Sequence, residues 1–124
     1  MATARDIMKG GVSSQTARAL GGQYSTVAAA GSVIGDATAI TTSMCIVTAA
    51  DGTKGVSISG DVGDECWVTN RSASALLIYP EAAAAIAVSG TGLGTAAVAL
   101  SVAAEKSVIL KKYTSTQWVA NLSS

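Results

Sequence analysis

Residues 44–80 limit the fold more than any other stretch of the chain. Short apolar and β-branched runs, Cys45-Ile46-Val47, Val56 with Ile58, Trp67-Val68 and Leu76-Leu77-Ile78-Tyr79, are punctuated by Asp51-Gly52, by residues 60–65 and by Asn70-Arg71-Ser72. Runs this short, bounded by turn residues, read as strands rather than helices. Asp51-Gly52 between two of them is a hairpin signal, because a tight reversal needs positive φ and glycine adopts it without a steric penalty. A loop of even length puts Val47 and Val56 on the same face as Cys45 and Ile58, and leaves Ser57 and Ser59 on the other. The stretch predicts a β-meander, with Cys45, Val47, Val56, Ile58, Val68 and Ile78 in its core.

The flanks extend the same reading. Residues 23–42 are rich in small and β-branched residues and carry a Gly35-Asp36 turn signal, which favours strands. Asn70 is suited to open a turn by bonding its own backbone, and residues 75–79 pair back and stop at Pro80, the only proline. Pro80-Glu81 and the alanines after it have helix propensity over too short a stretch to persist, which predicts a turn or a single helical turn. Val98, Leu100 and Val102 alternate onto one face, and residues 108–110 and 117–120 form the last pair across a turn at residues 113–116. The expectation is an all-β fold, an antiparallel β-sandwich or barrel-like meander in residues 24–124, preceded by an extended N-terminal arm in residues 1–23. Gly10-Gly11 and Gly21-Gly22 break any long helix in that arm, and residues 14–20 alone bury too little to hold a fold. The segment reads either as a frayed terminus or as a docking arm, and in the arm reading Arg5, Lys9, Arg18, Leu20 and Tyr24 contact a neighbouring subunit or capsid.

Chemistry is sparse. The chain has no histidine, the usual base near neutral pH and the commonest metal ligand. No Gly-x-Ser-x-Gly elbow accompanies its serines, and Gly90, Gly92 and Gly94 lack the lysine and helix of a phosphate loop. Asp36, Asp51, Asp61, Asp64 and Glu65 do not form a dense calcium-loop motif and read as solvated turn carboxylates. Cys45 and Cys66 read as small core residues rather than a disulfide framework or metal site. Lys111-Lys112 reads as a solvated strand end, and Trp67 and Trp118 as core caps, with a sugar platform as the alternative. These readings predict no enzymatic activity, no cofactor and no metal.

Composition then says where the apolar surface goes. Lys plus Arg and Asp plus Glu each number 8, so no net field draws in nucleic acid or anionic lipid. Only 13% of residues are charged against 49% hydrophobic, with a mean hydropathy of +0.44. No apolar run approaches the ~20 residues of a membrane span, and the first 22 residues lack the basic start and apolar core of a signal peptide. The excess apolar surface is expected to meet other protein chains, copies of this one included.

The order of features resembles small tailed-bacteriophage virion proteins, above all capsid decoration (cement) proteins. The resemblance runs over residues 31–119 and rests on Gly35-Asp36-Ala37, residues 50–56, Val68-Thr69-Asn70, Ile78-Tyr79-Pro80, residues 96–100, residues 106–110 and Thr116-Gln117-Trp118. Ile58-Ser59 stands where Leu-Pro is expected, Ile86-Ala87 where Ile-Asn is usual, and Glu105 at a turn position where glycine is common. The resemblance implies a non-enzymatic β-protein, made in the host cytoplasm, that assembles as a homotrimer on the outer capsid surface and clamps neighbouring major capsid protein subunits. A tail or fibre accessory protein and a carbohydrate-binding adhesion module are the alternatives.

Overall fold

A computed structural model describes residues 24–90, 92–96 and 98–123. Ten strands form two sheets: β1 (Tyr24–Ala28), β2 (Thr38–Ala39), β3 (Met44–Ala49), β4 (Gly55–Ser57), β5 (Glu65–Asn70), β6 (Leu76–Tyr79), β7 (Ala85–Val88), β8 (Leu100–Val102), β9 (Ser107–Thr114) and β10 (Gln117–Leu122). The larger sheet has the order β1-β3-β5-β9-β10-β7 and the smaller one β2-β4-β6-β8.

The fold is all-β, but it is not the antiparallel meander that the sequence predicts. From β1 to β6 the chain alternates between the sheets, so β1, β3 and β5 lie parallel in one and β2, β4 and β6 lie parallel in the other. The first half is therefore wound as a coil of three turns, each supplying one strand to each sheet. The Asp51-Gly52 turn carries the chain from β3 across to β4 rather than folding one back on the other. Asp51 Oδ1 accepts from the Thr53 hydroxyl (2.7 Å) and from the amides of Thr53 and Lys54 (2.9 and 3.0 Å), while Gly52 takes φ +90°. Likewise, residues 75–79 do not pair back on β5; β6 crosses to the smaller sheet and runs beside β4.

The second half reverses direction and closes one end. β8 lies antiparallel to β6, β9 antiparallel to β5, and β10 makes a hairpin with β9 before pairing in parallel with β7. Residues 81–84 form a turn, one of the two outcomes expected from sequence, with the Ala84 amide on the Glu81 carbonyl (3.0 Å). Val98 is exposed and does not share the face of Val102, because the chain is still turning there and β8 begins at Leu100.

Between the sheets lies one apolar core. Cys45, Val47, Val56, Ile58, Val68 and Ile78 are all buried in it, with Leu76, Val102, Leu110 and Trp118. The inward alternation of β3 and of β4 survives the change in pairing, since both faces look into the same core from opposite sheets. Asn70, fully buried at the end of β5, holds the turn that follows. Its Oδ1 accepts from the Ser72 amide (3.1 Å) and hydroxyl (2.7 Å), and its Nδ2 donates to Ser74 O, Val102 O and Ala103 O. That network ties the coil to the closing strands.

Candidate functional site

The outer face of the six-stranded sheet follows from register. Tyr24 pairs with Met44, Met44 with Trp67, Trp67 with Ile109, and Ile109 with Asn121. These residues share a face because side chains alternate along each strand, and each flanks a residue that points into the core. The result is a row of apolar side chains running from the β1 edge to β9: Tyr24 is 68% exposed, Met44 36% and Trp67 40%, with Ile109 half-buried. On one side the row is bordered by Thr26, Thr69 and Ser107, with half-buried Ile46 among them. On the other lie Glu65 and Lys111, opposite each other in register with their charged ends 3.9 Å apart. An apolar strip with a polar margin is the anatomy of a protein-binding surface.

The two tryptophans part company. Trp67 is on this outer face, whereas Trp118 is 1% exposed and fills the core, which removes it as a sugar platform. Its indole Nε1 donates to the Glu81 carboxylate (3.2 and 3.3 Å), which is also paired with Lys112 Nζ. Lys112 is the correction to a solvated Lys111-Lys112 spot. It is buried, its ammonium also donates to Gly60 O (2.6 Å), and it lies 5.8 Å from the Trp118 ring centre. Successive residues on a strand face opposite ways, so Lys111 reaches solvent and Lys112 does not. The strand period carries that distinction; a count of adjacent lysines does not.

A cavity of about 360 Å³ opens beside this cluster, lined by Ile40, Thr42, Ser43, Ile58, Cys66 and Trp118. Burial pushes the Cys66 thiol up to about 12, with Cys45 adding to the shift. Burial also raises the Cys45 thiol, opposed by a hydrogen bond with Ser25. Both thiols are therefore protonated near neutral pH and make poor nucleophiles. Among the described residues no group of three or more metal-ligating side chains comes together.

Of the contact residues expected from sequence, Tyr24 falls at the end of the apolar row; Arg5, Lys9, Arg18 and Leu20, with the rest of the expected arm, lie outside the described residues. Met44 and Ile109 escaped the sequence reading as surface residues. Their signal is the position of each one step from a core residue in a strand. No family model, curated protein or solved structure matches the chain.

Proposed function

We propose that this chain is a non-enzymatic structural protein of a bacteriophage virion that decorates the outside of the capsid and stabilises it by bridging major capsid protein subunits through the outer face of the six-stranded sheet. The observation that carries the reading is the exposed row Tyr24-Met44-Trp67-Ile109. Aromatic side chains held on a rigid sheet lose little entropy on docking and dominate contact energies, and methionine adapts its shape to the surface it meets. Zero formal net charge leaves neither nucleic acid nor an anionic membrane favoured as partner, and the order of sequence motifs resembles decoration proteins.

A protein that binds the assembled lattice and not its free subunits shifts the equilibrium toward the particle by mass action. Trp67→Ala in an otherwise folded protein is expected to weaken attachment to particles by at least about thirtyfold, the measure of a loss of roughly 2 kcal/mol. Attachment unchanged in Trp67→Ala and in Met44→Asp would remove this face from the mechanism. The exposed indole of Trp67 also favours a second reading, a carbohydrate-binding module. Glycan-array binding that is lost in Trp67→Ala, in a protein that does not attach to particles, would establish that reading instead.

A further inference from the structure

Cys45 and Cys66 are the only cysteines of the chain, both are free, and both face the core rather than the outer sheet face. Cys45 on β3 pairs in register with Val68 on β5, and the Trp67 amide donates to Ser43 O (2.8 Å). Cys66 therefore lies two positions before Val68 on the same inward face, which makes the two thiols diagonal neighbours on adjacent strands. Consistent with that placement, Cys45 adds electrostatically to the raised pKa of Cys66.

A diagonal spacing discriminates among the uses of two thiols. Diagonal neighbours on a sheet stand about 7–8 Å apart at Cα, beyond the span of roughly 4.4–6.8 Å that a disulfide closes. A metal ion between the sulfurs replaces one S–S bond by two bonds of about 2.3 Å each and so bridges the wider gap. Ligand count then selects the ion. The chain has no histidine, and among the described residues no third metal-ligating side chain joins the two. Met44, next to Cys45 along β3, is on the opposite face of the sheet. Two thiolates alone do not complete the four-coordinate shell of zinc and offer no oxygen cage for calcium or magnesium, whereas soft thiolate ligands select Cu(I).

We infer that Cys45 and Cys66 form a two-coordinate binding site for Cu(I), reached through the cavity at the β2–β3 and β4–β5 connections. Cys66 lines that cavity together with Thr42, Ser43 and Ser59, which gives the ion an entry path to the thiols. In the metal-free protein the Cys66 thiol donates to Thr42 O (3.9 Å). On binding, each thiol gives its proton to solvent and each sulfur forms one bond to the metal, with no change in oxidation state. The bis-thiolate complex carries one negative charge. The Ser25 hydroxyl, in hydrogen-bond contact with Cys45 and 2.8 Å from Thr42 Oγ1, is placed to offset it as an outer-shell donor. The site does not depend on docking by the outer sheet face, because both ligands lie on the core side.

Anaerobic titration of the full chain with Cu(I), in competition with bicinchoninate, is expected to load one ion per chain and to release two protons per ion near neutral pH. The copper X-ray absorption spectrum is expected to show two sulfur neighbours, and an excess of Zn(II) to leave the complex intact. Cys45→Ala and Cys66→Ala are each expected to weaken binding at least about a hundredfold, and Ser25→Ala about tenfold. Circular dichroism reports that each variant is folded, and the proton count and the coordination number are read on the native chain whichever variants fold. Failure to take Cu(I) from bicinchoninate, full binding in either cysteine variant, displacement by zinc, or a third ligand in the spectrum overturns the site. So does a Cys45–Cys66 disulfide formed by air oxidation of the folded protein, which would contradict the spacing on which the site rests.

Discussion

The closed end of the coil and its β1 end differ in what covers them, among the described residues, more than in what they are made of. Val27, Val47 and Asn70 occupy one row across β1, β3 and β5 and point the same way. Val27 is half-buried, Val47 is fully buried, and Asn70 is fully buried with its side chain satisfied by the turn at Ser72 and Ser74 and by Val102 O and Ala103 O at the end of β8. Burial in a wound sheet therefore depends on having a neighbouring turn of chain on both sides, and terminal turns need a cap. The closing half supplies that cap to β5 and β6, and it does so partly with polar groups: Asn70 and the Lys112-Glu81-Trp118 cluster.

Substitutions are expected to hurt most where coverage is complete. Glu81→Ala strands a buried ammonium and leaves the Trp118 indole without its acceptor, and a loss of about 3 kcal/mol in urea unfolding is expected. Lys112→Met combined with Glu81→Gln, which removes both charges and keeps the volume, is expected to cost far less, and a loss as large as that of Glu81→Ala would argue that packing rather than the ion pair is at stake. Val47→Ala is expected to cost about 2.5 kcal/mol and Val27→Ala about 1 kcal/mol, because only the first leaves a sealed cavity. Equal losses at Val27 and Val47 would break the contrast between the ends.

A smaller effect comes from Cys66. Its thiol ionises near 12 in the folded chain and at the ordinary 9.0 when unfolded. Between those values the unfolded state releases its proton first, so stability falls as pH rises. The stability advantage of the native protein over Cys66→Ala is expected to shrink by about 1 kcal/mol between pH 8 and pH 10. Smaller still is Asp51→Asn. Hydrogen bonds from the Thr53 hydroxyl and amide hold the Asp51 carboxyl below its ordinary 3.8. Its contribution is present above that value and is lost as pH falls through the folded pKa, so Asp51→Asn should flatten only the acid limb of the stability profile.

Much of the fold was legible in the sequence because strand alternation and turn chemistry are local. The strands around Cys45, Val68 and Ile78, the inward side of each, and the Asx turn at Asn70 follow from near neighbours alone. Strand partnership does not. Alternation says that Val47 and Val56 face a core, and it is satisfied equally by a hairpin within one sheet and by a crossing between two. The Asp51-Gly52 turn is compatible with both. The same limit hid the candidate site, since a row such as Tyr24-Met44-Trp67-Ile109 exists only once β1, β3, β5 and β9 are placed in order. Lys112 was misread for a related reason: its carboxylate partner comes from Glu81, which the sequence places far away and the β7 to β10 closure brings near.

The proposed role stands on docking by the outer sheet face, and particle survival on heating measures it most directly. Particles carrying the native protein are expected to retain their nucleic acid to a higher temperature than particles lacking it, and particles offered Trp67→Ala are expected to behave like the undecorated ones. Equal survival of decorated and undecorated particles would contradict a stabilising role.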